Sequence, residues 1–328
     1  MLTPCIFLVF GFVCLIFGAD WFVEGAVGIA KKLRIPQLVI GLTIVAMGTS
    51  APEAAVSISA ALKGNAAITI GNVVGSNLLN VGIILGIAAL IRELHVAKTT
   101  VRYELPFLFG VTGLLLGLGA SGGHVTLGEG LLLWAVFLAY LCYLFLLAAR
   151  QKDKPDEGAS EGGEPASENE SKKTLRERIT EQIRKHPLLG TVIGLAVVIW
   201  GSDLTVDGAT ELARMLGISE RIIGLTIVAL GTSLPELVTS IAASRKGNSD
   251  IAVGNIVGSN IFNILFVVGT TSLIVPVSFA RSFLWDTAAA AGSTVLLWSM
   301  VCRKRTLTRA AGAVLLLTYL SYAVFLMV

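Results

Sequence analysis

The sequence predicts an all-α integral membrane protein of about ten transmembrane helices arranged as two inverted five-helix repeats. Three observations carry that prediction: an apolar composition with clustered charge, a one-sided distribution of lysine and arginine, and a gap-free internal duplication. Of 328 residues, 54% are hydrophobic and 14% charged, whereas soluble domains carry about a quarter charged residues. Mean hydropathy is +0.79, and apolar runs of bilayer-spanning length separate the charges. Soluble multi-domain organisation is therefore excluded, and a net charge of +3 carries no nucleic-acid signal. Cys5, Cys14, Cys142 and Cys302 lie in apolar stretches without CxxC or Cys/His pairing, so buried packing roles are expected rather than disulfides or zinc.

The first nineteen residues carry no charge, which resembles a signal peptide. A cleavable signal begins with a basic region, however, and here the first charges are Asp20 and Glu24, followed by Lys31, Lys32 and Arg34. The segment reads as a retained first span. Ten apolar segments of roughly 20 residues follow one another, centred near residues 15, 50, 79, 112, 139, 198, 233, 263, 292 and 318. Residues 151–186, rich in Glu, Ser, Gly and Lys, cannot bury a core and are expected to be a disordered linker between a first repeat (1–150) and a second (187–328).

Basic residues mark the cytoplasmic side of a membrane helix. The loops after spans one, three, five, seven and nine hold 21 of the 25; Lys63, Arg214, Arg221 and Arg281 fall on the other side. Both termini are thus expected outside and the linker in the cytoplasm. Compact loops suit the inner, or plasma, membrane of a bacterium or archaeon.

Residues 41–86 align with 224–269 at a constant offset of 183, with 26 of 46 positions identical. The offset also carries Gly18, Asp20, Glu24 and Gly25 onto Gly201, Asp203, Asp207 and Gly208, and similarity fades beyond Gly86. A unit of five spans enters the membrane from opposite sides in its two copies, so the repeats are inverted. Inverted repeats place a binding site near the midplane, where interrupted helices face one another.

Gly48-Thr49-Ser50-Ala51-Pro52-Glu53 recurs as Gly231-Thr232-Ser233-Leu234-Pro235-Glu236, close to mid-span. Pro52 and Pro235 lack the N–H that a helix needs and crowd the preceding turn, so carbonyls near Ala46 and Ala229 are expected to leave the helix ladder. Ala46, Thr49, Ser50, Glu53 and Ser57 share one helix face, as do Ala229, Thr232, Ser233, Glu236 and Ser240. An ionised carboxylate in the bilayer needs a cationic partner, and no lysine or arginine lies mid-span, which leaves a proton or a metal ion. The next span adds Asn72, Ser76 and Asn80, and its copy Asn255, Ser259 and Asn263. The set is all oxygen, which suits hard cations such as Ca²⁺ or Na⁺ and not zinc or copper.

GTSAPE with GNVVGSNLLN, and GTSLPE with GNIVGSNIFN, resemble the alpha repeats of the sodium/calcium exchanger family, a resemblance that extends over essentially the whole chain. It implies alternating-access exchange of Ca²⁺ against Na⁺, without enzymatic activity, a resident cofactor, or a nucleic-acid or protein partner. The lipid bilayer is its surroundings. Carried over, the ion ligands are Glu53, Glu236, Thr49, Ser50, Thr232, Ser233, Ser76, Ser259, Asn80 and Asn263 with the carbonyls of Ala46 and Ala229; Ca²⁺ falls to Glu53, Glu236, Thr49 and Thr232. Some members carry Asp where this chain has Asn263, which removes a titratable group and keeps H⁺ open as the coupling ion.

Blander readings stand beside these. The glutamates can be protonated and merely bridge helices, serine and threonine hydroxyls commonly bond helix backbone, and the GxxxG spacings Gly71/Gly75 and Gly254/Gly258 suit close packing. Asp20, Glu24, Asp203 and Asp207 lie nearer span ends, where interface or gating roles are expected. His95, His124 and His186 read as solvated loop residues. An intramembrane enzyme would need a motif such as HExxH or GxSxG, and neither is expected here, while broken inverted helices favour alternating access over a passive channel.

Overall fold

The computed structural model describes residues 2–64, 66–151, 175–217 and 229–327. The N-terminal half comprises α1 (Leu2–Leu33), α2 (Gln37–Ile40), a π-helical turn Gly41–Val45, α3 (Ala46–Thr49), α4 (Ala51–Leu62), α5 (Ala67–Leu79) running through a π-turn Asn80–Ile84 into α6 (Leu85–Ile91), α7 (Leu105–Gly122) and α8 (Leu127–Gln151). Then come α9 (Leu175–Lys185), α10 (Pro187–Met215), α11 (Ala229–Thr232), α12 (Leu234–Arg245), α13 (Ser249–Phe262) running through a π-turn Asn263–Val268 into α14 (Gly269–Ile274), α15 (Arg281–Val301) and α16 (Arg309–Met327). Among the described residues, seven helices are long and apolar enough to cross a membrane, and eight if the pair Gln37–Thr49 and Ala51–Leu62, bent by 46°, counts as one span. This is a multi-pass membrane protein. Residues 218–228, which include Arg221 and the first half of the expected seventh span, lie outside the described residues.

The centre of the bundle is the stretch Ser249–Ile274, whose apolar window is 94% buried, against 11% for Arg309–Leu326 at the rim. Large apolar side chains such as Phe145, Trp285 and Phe325 point outward, as a lipid-facing surface requires. Cys5, Cys142 and Cys302 are exposed there too; only Cys14 is buried, which corrects the expectation of four buried cysteines.

The two long helices α1 and α10 run antiparallel along a glycine seam. Gly11, Gly18 and Gly25 recur every seven residues, as do their counterparts Gly194, Gly201 and Gly208. A Cβ on Gly18 would meet the Val198 backbone nitrogen at 2.9 Å, and one on Gly201 would meet the Leu15 nitrogen at 2.9 Å. Small residues let the two backbones approach this closely.

The all-α expectation needs a small correction, because two short antiparallel ladders sit at the helix ends. β1 (Leu94–His95) and β2 (His124–Val125) come from the N-terminal half, and β3 (Val277–Ser278) and β4 (Thr306–Leu307) from the C-terminal half. β1 pairs with β4 and β2 with β3, so each ladder joins the two halves. The chain there satisfies its backbone groups by pairing across the halves. The expected disordered linker is also corrected in part. Residues 175–185 form α9, whose sequence LRERITEQIRK is rich in helix formers; residues 152–174 lie outside the described residues.

Asp20 and Glu24, expected near a span end, instead lie past the middle of the 32-residue α1 and have partners at an interface. Lys246 Nζ, at the end of α12, lies 3.5 Å from Asp20 Oδ1 and 3.6 Å from Glu24 Oε2, and donates to the Asp20 carbonyl at 2.6 Å. Arg184 Nε on α9 donates to Glu24 Oε1 at 2.6 Å. The counterparts Lys63, Asp203 and Asp207 are exposed, and among the described residues no ion pair joins them.

Candidate ion-binding site

Two prolines build the site. Pro52 and Pro235 occupy the first turns of α4 and α12, where a missing N–H costs nothing. The residue before each half-helix leaves helical geometry, Ser50 at φ −82°, ψ 7° and Ser233 at φ −92°, ψ 4°. Glu53 and Glu236 then sit in the first turn of their half-helices, where exposed N–H groups and the helix dipole favour negative charge.

Both carboxylates have no accessible surface. Their hydrogen bonds cross between the copies: Ser50 Oγ donates to Glu236 Oε1 at 2.7 Å, and Ser233 Oγ donates to Glu53 Oε1 at 3.1 Å. The Ser76 hydroxyl lies 3.3 Å from that of Ser233. Thr49 Oγ1 donates to Asn255 Oδ1 at 3.0 Å, and Ser259 Oγ donates to the Ala46 carbonyl at 3.3 Å. Helices α3, α4, α5, α11, α12 and α13 thus converge on one pair of acidic residues, and the sequence-predicted hydroxyls arrive with them.

The Ala46 carbonyl corrects one expectation. The break falls at Ser50, so the Ser50 N–H still reaches Ala46 O at 3.0 Å, and that oxygen is bonded instead of free. In the second copy Ser233 N–H bonds Leu230 O at 3.2 Å and bypasses Ala229, while the carbonyl of Gly231 takes the Ser202 hydroxyl at 2.8 Å.

Asn72 and Asn255 act as braces. Their side-chain nitrogens donate to the backbone carbonyls of Glu53 (3.2 Å) and Glu236 (3.4 Å) and to the hydroxyls of Ser57 (3.0 Å) and Ser240 (2.9 Å). Asn80 and Asn263, both buried, open the π-turns of their helices and give their side-chain nitrogens to Asn260 and Asn77. Asn77 and Asn260 are the residues the helical phase overlooks, since they lie one position off the face of Ser76 and Ser259; their recurrence at the same offset is the available signal.

After these bonds, Oε2 of Glu53, Oε2 of Glu236, Thr232 Oγ1, Asn80 Oδ1 and Asn263 Oδ1 are buried without a hydrogen-bond partner among the described residues. A buried polar atom left so costs about 1–3 kcal/mol, and the five are hard oxygen donors without a sulfur or imidazole among them. Two carboxylates close together in low dielectric repel unless cationic charge offsets them. One divalent ion, two monovalent ions or protons all meet that demand.

Gly254 and Gly258 pack against the backbone of Leu38, Gly41 and Leu42, so the packing reading of that GxxxG holds; residues 221–225, the repeat counterpart of 38–42, lie outside the described residues. His95, His124 and His186 are exposed. Residues 119–123 do spell GxSxG, which corrects the expectation that the motif is missing, but they end a helix, and the Ser121 hydroxyl donates to the Leu118 carbonyl at 2.8 Å, which is not a strand-to-helix nucleophile turn.

The profile described as Sodium/calcium exchanger protein matches residues 3–146 and 186–328. The sodium/calcium exchanger MaX1 of Methanosarcina acetivorans is 32% identical over 343 residues, covering 97% of both chains. The inner membrane protein YrbG of Escherichia coli is 38% identical over 281 residues, covering 84% of this chain and 81% of that one. Among solved structures, that of the sodium-calcium exchanger NCX_Mj superimposes with a TM-score of 0.81 at 28% identity, covering 99% of each chain.

Proposed function

Because the chain belongs to the sodium/calcium exchanger family, and is accordingly a transporter and not an enzyme, we propose that it exchanges Ca²⁺ for Na⁺ by alternating access. The ions bind between Glu53 and Glu236, with Thr49, Ser50, Thr232, Ser233, Ser76, Ser259, Asn80 and Asn263 around them and the carbonyls of Ala46 and Ala229 in reserve. The single observation that carries this reading is the crossed pair Ser50 to Glu236 and Ser233 to Glu53. It puts two buried carboxylates into one oxygen-lined region, and each is held by the opposite copy. Two inverted five-helix repeats, ten spans, outside termini and a cytoplasmic linker in an inner membrane complete the reading. The reciprocal ladders and the offset-related hydrogen bonds support the two-fold relation.

The experiment is Ca²⁺ uptake into liposomes holding the purified protein, under separately imposed Na⁺ and H⁺ gradients. Uptake is expected to require an opposing Na⁺ gradient and to vanish in Glu53→Gln and Glu236→Gln. Full uptake by either variant would sink the proposal. A second reading, H⁺ as the counter-ion, is favoured by the one oxygen on each carboxylate that has no partner, a ready place for a proton. Uptake driven by a pH gradient in Na⁺-free buffer would select it.

A further inference from the structure

Four asparagines cross at the centre of the bundle, where α5 passes α13. Asn77 Nδ2 donates to the Asn260 backbone carbonyl at 3.1 Å, and Asn260 Nδ2 donates to the Asn77 carbonyl at 3.1 Å. A carbonyl only accepts, so it decides which end of each facing amide is nitrogen. The oxygens of these two amides then have one direction left. Asn263 Nδ2 donates to Asn77 Oδ1 at 3.2 Å, and Asn80 Nδ2 donates to Asn260 Oδ1 at 2.9 Å. An amide oxygen also only accepts, so Asn80 and Asn263 must turn their nitrogens toward it. Their own oxygens are what remains, and both are buried without a partner. Asn80 lies one helical turn beyond Ser76, and Asn263 one turn beyond Ser259, on the face that meets the carboxylates.

We propose that Asn77 and Asn260 are positioning residues that fix Asn263 and Asn80, each in the opposite copy, with oxygen and not nitrogen toward the bound cation; this rests on the reading of Asn80 and Asn263 as ion ligands. The two ends of a side-chain amide have nearly the same shape and opposite polarity. An unanchored asparagine therefore turns its NH₂ group toward a cation at little steric cost, and the ion loses a ligand and meets a positive dipole. A carboxylate has no wrong end, and the orienting relay is needed only where the ligand is an amide. Four hydrogen bonds starting from two backbone carbonyls leave none of the amides a free choice.

The test is a double-mutant cycle on the full-length protein, read as equilibrium binding of radiolabelled Ca²⁺ in detergent and as gradient-driven uptake in vesicles. Asn77→Ala alone is expected to weaken Ca²⁺ binding on the order of tenfold, the loss of one oriented ligand, while the maximal uptake rate changes far less. In an Asn263→Asp background the same substitution is expected to change binding less than twofold, because aspartate needs no orienting. Equal losses in both backgrounds overturn the proposal, since a packing role does not depend on the chemistry of residue 263. Asn260→Ala with Asn80→Asp repeats the cycle from the other copy. If the alanine variants do not fold, a structure of the wild-type protein loaded with Sr²⁺ decides. The Asn77 and Asn260 amides crossed on the opposite carbonyls, with Asn80 or Asn263 Oδ1 on the ion, supports the relay, and amides swung off those carbonyls overturns it. The underlying reading fails separately if Asn80→Leu and Asn263→Leu leave Ca²⁺ binding unchanged while Glu53→Gln abolishes it.

Discussion

Ser50 and Ser233 each hold a carboxylate that belongs to the other copy. A hydrogen bond to a charged group contributes about 1.5–3 kcal/mol, so Ser50→Ala is expected to raise the Ca²⁺ KM about tenfold in vesicle uptake, and Ser233→Ala by a similar factor. An unchanged KM in both would separate the hydroxyls from the ion. A different polar pair lies outside the site. Tyr143 OH donates to the buried Glu104 Oε1 at 2.6 Å, and Tyr143→Phe leaves that oxygen unpaired. A loss of about 1–3 kcal/mol of stability is expected, visible as a lower thermal midpoint of the purified protein with Ca²⁺ affinity unchanged.

Among the elements, the glycine seam between α1 and α10 is the least forgiving. Gly201→Ala places a methyl group 2.9 Å from the Leu15 nitrogen, and overpacking of that kind costs about 1–3 kcal/mol. Gly113, where an added methyl group would have nothing within 4 Å, is the matched control; Gly113→Ala is expected to leave stability unchanged. Comparable melting temperatures for the two variants would remove the seam from the account. Much of this level is legible in the sequence: the proline breaks, the acidic residues after them and the recurring glycines all follow from spacing. Helical phase tells which residues share a face and not which face they meet, so the crossing of serine to the opposite glutamate cannot be read from it. For the same reason Asn77 and Asn260 stay hidden one step off the predicted face. The bonded state of the Ala46 carbonyl escapes sequence reasoning because proline dictates that a helix breaks, and packing decides at which residue.

For the molecule as a whole, one cluster of charges ties α1 to α9 and to the end of α12. Lys246 bridges Asp20 and Glu24, and Arg184 binds Glu24, while among the described residues no ion pair joins the equivalent Lys63, Asp203 and Asp207. On the alternating-access reading proposed above, these helices must part, and a partly exposed ion pair contributes up to about 1 kcal/mol. Lys246→Ala is expected to increase, by about fivefold, the rate at which a cysteine placed at Ser244 reacts with a water-soluble maleimide; an unaltered rate would show that these charges do not restrain opening. The seam, the ladders and this cluster are relations between distant parts of the chain, which explains why composition predicts a membrane bundle without predicting how its halves lock. The crossed serine and glutamate bonds also bear on how the gene has changed since it doubled. A residue that must fit a partner in the sister segment cannot drift alone, whereas one facing lipid answers only to being greasy. That mutual constraint fits the identity of the two copies at the serines and glutamates that meet, Ser50 with Glu236 and Ser233 with Glu53.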